Sequence, residues 1–163
     1  MKKALIAALA AVWVVGCASA DEPKKDAKAA CAPAPKELVT KDLKKGDGPL
    51  VAFRSAILVS YTGWLYDECA PDHKGAKFDS SEGRATPLGF IVGAGRVIKG
   101  WDEGLIGTQE NTDRLLIIPP DKGYGASAAP GGKIPPNSTL VFEVTVLKIL
   151  SGGQPAQNAA PAK

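Results

Sequence analysis

The chain has 163 residues, 45% of them hydrophobic and 23% charged, with 20 lysines and arginines against 17 acidic residues. That is the composition of a soluble globular protein, and the length suits one domain with tails. The formal net charge of +3 falls to +1 once Lys2 and Lys3 are set aside, which removes any reason to expect nucleic acid as a partner.

The N-terminus, MKKALIAALAAVWVVGCASA, opens with two lysines, continues as an apolar run from Ala4 to Val15 and ends in small residues. This is the pattern of a secretory signal, and the run is well short of the roughly 20 residues a spanning helix needs. Val14–Cys17, VVGC, resembles a bacterial lipobox, which makes residues 1–17 the leader and Cys17 a lipid-bearing N-terminus. Ala18 after that cysteine resembles the outer-membrane sorting pattern. Ala18–Ala20, ASA, is also acceptable to ordinary signal peptidase and would give a soluble periplasmic protein instead. On either reading the chain leaves the cytoplasm, and it meets a membrane only through a lipid anchor. Two cysteines then remain, Cys31 and Cys69, an even pair that is a disulfide candidate in an oxidising compartment. The alternative is two free thiols on loops.

Residues 18–36 are rich in Ala, Pro and Lys with almost no large apolar residues, which predicts a disordered linker. Residues 151–163 predict a disordered tail by the same argument. Residues 37–150 hold every strong pattern, enough chain for a single core. SAILVSYTGWL (Ser55–Leu65) puts Ile57, Val59 and Tyr61 on one face, the period-two pattern of a half-buried strand. Leu88–Val92, Arg114–Ile118 and Thr139–Leu150 are further β-rich runs, the last with Phe142, Val144 and Val146 on one face. Gly95–Gly107 carries Val97, Ile98, Trp101 and Leu105 on one helical stripe. A stripe of about two turns is too short to be stable alone, so something must cover it. Strands in succession with one helix predict an α+β domain in which a curved antiparallel sheet packs on that helix.

Several chemistries fail on the residues. VGAGRVIKG follows a strand and opens a helix, but a dinucleotide-binding turn needs its third glycine at position 98, which is isoleucine. His73 is the only histidine, with Cys69 its only nearby soft ligand, so neither a metal site nor a hydrolase triad is supplied. Ser80 and Ser81 read as turn formers.

Five blocks, VSYTGWL, KFDSS, GRVIKGWDEGL, IIPPDKGYG and IPPNSTLVFEVTVLKI, resemble in order and spacing the FKBP-type peptidyl-prolyl cis-trans isomerases, from about Leu38 to Leu150. The resemblance implies a five- or six-stranded curved antiparallel sheet wrapped around one short helix, with a substrate pocket between them. It implies an enzyme that assists the folding of exported proteins by non-covalent catalysis, without cofactor or metal, acting on X-Pro segments as a monomer and open to the family's macrolide inhibitors. The alternative is a non-catalytic proline-peptide-binding chaperone or surface lipoprotein on the same fold. Carried over by position, Trp101 is the floor for the proline ring, and Tyr61, Phe78 and Phe142 are walls. The Ile98 N–H and the Tyr124 hydroxyl bind the substrate's carbonyls. Asp79 sits at the edge, hydrogen-bonded to a wall tyrosine, and Val97 and Ile134 complete the lining. Leu88 stands where many members carry an aromatic wall, and Tyr66–Ala76 reads as an extra loop carrying Cys69.

Overall fold

A computed structural model describes residues 31–151 except Ala128 and Pro130. The expected leader with Cys17, most of the linker and the tail beyond Ser151 lie outside the described residues. Six strands, β1 (Val39–Lys44), β2 (Ala56–Tyr66), β3 (Lys74–Ser80), β4 (Leu88–Ile91), β5 (Asp113–Ile118) and β6 (Leu140–Ser151), form one antiparallel sheet, and the helix α1 (Lys99–Gly104) lies between β4 and β5 in the chain. Neighbours in space run β1-β5-β6-β2-β3, with β4 also paired to β2.

β2 organises the sheet. One edge pairs with β6 along its whole length. The other edge is shared: Ala56–Val59 pair with β4 and Thr62–Tyr66 with β3. Between the two ladders the backbone of Tyr61 faces no strand. Ser81 fills the gap, its N–H donating to the Tyr61 carbonyl at 2.8 Å while its Oγ accepts the Tyr61 N–H at 2.7 Å. Ser81 thus satisfies backbone groups that burial would otherwise leave costly.

The alternation read from the sequence places the core. Ile57, Val59 and Tyr61 of β2, Leu116 and Ile118 of β5, and Leu140, Phe142, Val144 and Val146 of β6 all face α1 and are buried. Each such aliphatic side chain contributes about 1.5–3 kcal/mol relative to exposure. The helix is held by that burial, because six residues cannot hold themselves. Gly100 lets α1 approach closely: a Cβ there would stand 2.5 Å from Ile118.

The helix is shorter than its stripe. Ile98 is its N-cap with extended backbone (φ −62°, ψ 148°), so Val97 and Ile98 precede the first turn, while Trp101 and Leu105 are buried in the core. Two strands have no counterpart among the predicted runs. β1 is exposed at every position and so shows no apolar face. β3 occupies the end of the expected extra loop, which is cut short at Lys74.

The opposite face of the sheet carries a second cluster, Leu115, Ile117 and Val141, with Trp64 and Tyr66 packed on it. Cys31 and Cys69 are bonded, with Cα atoms 4.2 Å apart, and this ties the N-terminal arm to that face. The Ala32 N–H donates to the Glu68 carbonyl at 3.0 Å and the Tyr66 hydroxyl to the Ala32 carbonyl at 2.9 Å. Part of the expected linker is therefore held on the domain. His73, the lone histidine, stacks on Tyr66 at 4.8 Å.

Candidate active site

Three elements converge where β2 changes partner. β2 contributes Tyr61, β6 contributes Phe142 and α1 contributes Trp101, which is 3% exposed. Their rings meet edge to face, Tyr61 on Trp101 at 5.1 Å and 78°, and Phe142 on Trp101 at 5.3 Å and 86°. Phe78 of β3 stands against Phe142 at 5.5 Å and 87°. These are the geometries aromatic quadrupoles favour, at about 0.5–1.5 kcal/mol per pair beyond burial. Gly63 makes room for them, since a Cβ there would lie 2.7 Å from both Phe78 and Phe142.

Above the indole is a hollow of about 280 Å³. Nine of the ten residues anticipated from the sequence line it: Tyr61, Phe78, Asp79, Leu88, Val97, Ile98, Trp101, Tyr124 and Phe142. Ile134 does not; it is 4% exposed and packs into the core behind the wall. A larger hollow of about 510 Å³, lined by the arm, the 119–126 segment, Asn137 and Thr139, has no aromatic residue in its lining.

The rim is polar on one side. The Tyr61 hydroxyl donates to Asp79 Oδ2 at 2.6 Å, the Ser80 N–H to Asp79 Oδ1 at 2.9 Å, and Arg84 Nη2 to Asp79 Oδ1 at 2.8 Å. Burial works against the Asp79 charge, but the Tyr61 hydroxyl, the Ser80 N–H and the Arg84 guanidinium outweigh it and hold the carboxyl below its usual range. Burial first, and the Asp79 bond second, push the Tyr61 phenol up to about 12. Burial and the Asp79 charge also raise Tyr124. Neither the Tyr124 hydroxyl nor the Ile98 N–H has a partner among the described residues. The hollow therefore offers a carboxylate that stays ionised, phenols that stay protonated, and two donors open to a ligand.

Three charged residues that sequence reasoning passed over belong to this geometry. Arg84 pairs with Asp79 and lies 6.0 Å from the Tyr61 ring centroid. Asp102, in the first turn of α1, accepts from the Gly93 and Gly95 N–H groups at 2.7 and 2.9 Å, bracing the stretch that carries Val97 and Ile98. Arg96 lines the hollow. In sequence all three look like solvated charges: the resemblance marked the area through the residues around them and gave Arg84, Asp102 and Arg96 no role.

Residues 52–147 match the family described as FKBP-type peptidyl-prolyl cis-trans isomerase. The chain is 48% identical over 112 residues to the FK506-binding protein of Neisseria meningitidis serogroup B, an alignment covering 69% of this chain and 95% of that protein. It is 43% identical over 108 residues to the FK506-binding protein of Streptomyces anulatus, covering 66% and 82%. Among solved structures, AtFKBP13 superposes with a TM-score of 0.58 at 34% identity, over 71% of this chain and 95% of that one. FkpA from Escherichia coli gives 0.57 at 38%, over 69% and 47%. Six antiparallel strands wrapped on one short helix are the FKBP fold. The chain belongs to the FKBP-type peptidyl-prolyl cis-trans isomerase family, and its activity is isomerisation of the bond before proline.

Proposed function

We propose that this isomerase acts on X-Pro segments of exported polypeptides, in the hollow over Trp101, from a lipid anchor at Cys17. The observation that carries the site is the Tyr61–Asp79–Arg84 network at the rim of an aromatic hollow floored by a nearly buried indole.

An X-Pro bond prefers trans by only about 0.5–1 kcal/mol, yet resonance holds the amide planar behind a barrier of ~18–20 kcal/mol. The planar amide is charge-separated and well solvated; the twisted amide is less so. With the proline ring on Trp101 and aromatic walls around the bond, the planar form loses more by leaving water than the twisted form does. A thousandfold acceleration needs about 4 kcal/mol of such differential stabilisation. Two neutral hydrogen bonds, from the Ile98 N–H and the Tyr124 hydroxyl to the flanking carbonyls, contribute at most about 3 kcal/mol together. The apolar hollow and the Asp79 carboxylate must supply the remainder. Asp79, ionised and facing the bond, stabilises the rotating carbonyl carbon's developing positive end. No nucleophile takes part.

The decisive assay is acceleration of a proline-limited refolding reaction by the wild-type protein and by Asp79→Ala. Loss of most of kcat/KM with an unchanged fold is expected; unchanged kcat/KM and peptide binding would remove Asp79 from the site. The relatives named for FK506 binding support the further expectation that this macrolide occupies the same hollow and inhibits, which competition with a proline peptide would test.

The exported setting is supported by the leader-like residues 1–17 and by the Cys31–Cys69 bond, which persists in an oxidising compartment. Between leader and domain, residues 18–36 form a linker whose end, from Cys31, is held on the domain, the domain spans 37–150, and residues 151–163 follow as a tail. Labelled palmitate should enter the wild-type protein and not Cys17→Ser; equal labelling, or none in either, refutes the anchor.

A further inference from the structure

We propose that Arg96 makes this isomerase select prolines flanked by an acidic side chain. The proposal rests on the isomerase reading of the hollow and names the peptides that site prefers.

Two charged side chains line the hollow, Asp79 and Arg96. They are not equivalent. Asp79 is engaged by the Tyr61 hydroxyl, the Ser80 N–H and the Arg84 guanidinium, so its charge is compensated locally. Arg96 is exposed, and the five ion pairs among the described residues leave it out. Asp102, whose carboxylate reaches the adjoining Gly93 and Gly95 N–H groups, makes no ion pair with it. Of the two charges in the lining, only that of Arg96 is therefore without a partner among the described residues.

Its place in the chain matters. Arg96 stands two residues before Ile98, in the stretch ahead of α1. A peptide whose carbonyl meets the Ile98 N–H runs beside this stretch, which brings the side chain next to its proline within reach of the guanidinium. A carboxylate there gains a planar, bidentate partner, an amide gains little, and an ammonium is repelled. Because Arg96 has no ion-pair partner among the described residues, the contact breaks no existing pair. For an exposed pair the expected gain is roughly two- to fivefold in kcat/KM.

The test uses three X-Pro peptide series that differ only in Glu, Gln or Lys beside the proline, placed before it in one set and after it in another. Each is assayed with the full-length wild-type protein, Arg96→Gln and Arg96→Glu, in low salt and in about 1 M salt. In at least one of the two positions the wild type should rank Glu over Gln over Lys, the spread lying mainly in KM. High salt should collapse the spread, since screening acts within about 3 Å at 1 M. Arg96→Gln should abolish the ranking, and Arg96→Glu should reverse it. An unranked wild type, or a ranking that survives Arg96→Glu, overturns the proposal. Failure of the isomerase reading looks different: the wild type would not turn over the Gln peptides above the thermal rate at all.

Discussion

Replacing both Cys31 and Cys69 by serine separates the bond's effect on stability from the chemistry of the hollow. The bond closes a loop with a sequence separation of 38. The chain-entropy relation converts such a loop into about 3.9 kcal/mol at 25 °C. Engineered and natural bonds usually deliver somewhat less, so about 2–4 kcal/mol is expected. Besides the bond, the Ala32 N–H to Glu68 and the Tyr66 hydroxyl to Ala32 hold the arm where it crosses that face. Two hydrogen bonds of about 0.5–1.5 kcal/mol each cannot keep it there against the ordering entropy of its residues. The arm should detach and expose Leu115 and Ile117. With a urea slope of about 1.5 kcal/mol per molar, a 3 kcal/mol loss lowers the unfolding midpoint by about 2 M. Prolyl isomerase activity in dilute buffer should stay within about twofold, because the bond and residues 31–33 lie on the sheet face turned away from Trp101. An unchanged midpoint at unchanged slope would refute the constraint. A folded variant without activity would refute the separation of the two faces.

Gly63→Ala should cost about 1–3 kcal/mol, as overpacking does, and lower kcat/KM by displacing Phe78 and Phe142, each of which a Cβ would approach to 2.7 Å; thermal unfolding and peptide turnover measure the two. Asp102→Ala removes the acceptor of two backbone N–H groups and should raise KM more than it lowers kcat, with a stability loss of about 1–3 kcal/mol; an unchanged KM would show that the Val97–Ile98 stretch holds itself. Activity should be flat from about pH 5 to pH 10, because Asp79 stays ionised below its ordinary 3.8 and Tyr61 stays protonated up to about 12. Since the folded carboxyl is held below its unfolded value, its contribution to stability is complete above about 3.8 and is lost as pH falls through the folded value. A stability profile that begins to fall at neutral pH would refute that assignment to Asp79.

The parts of the fold that could be read in the sequence are those whose side chains divide cleanly between core and solvent. Phe142, Val144 and Val146 alternate with Glu143 and Thr145 on β6, and Ile57, Val59 and Tyr61 are buried at every second position of β2 although Leu58 between the first two is also apolar, so period and burial coincide. β1 reads VTKDLK and is exposed throughout; its place beside β5 is set by backbone pairing from Val39 with Ile117 to Lys44 with Asp113, which leaves no apolar trace. β3 hides for a related reason, since KGAKFDS mixes glycine and lysine with a single large apolar residue, Phe78. The stripe of Val97, Ile98, Trp101 and Leu105 merges two conformations, because apolar spacing does not report that Ile98 is still extended. In the site, the aromatic residues were legible through the resemblance to the family, since pattern alone reads Trp101 and Phe142 as ordinary core. Arg84, Asp102 and Arg96 were not, because their roles depend on partners or on a cavity that only folding assembles.

The change of partner along β2 has an architectural consequence. Residues 81–87, which carry Arg84 and lead into Leu88, lie between two ladders that each close on their own register, Thr62–Tyr66 on one side and Ala56–Val59 on the other. A graft or a change of length in that segment leaves both registers as they are, provided a hydroxyl remains at position 81. The lip of the binding cleft can thus be reshaped without disturbing the sheet, so long as an arginine still reaches Asp79, while the indole beneath it belongs to the foundation.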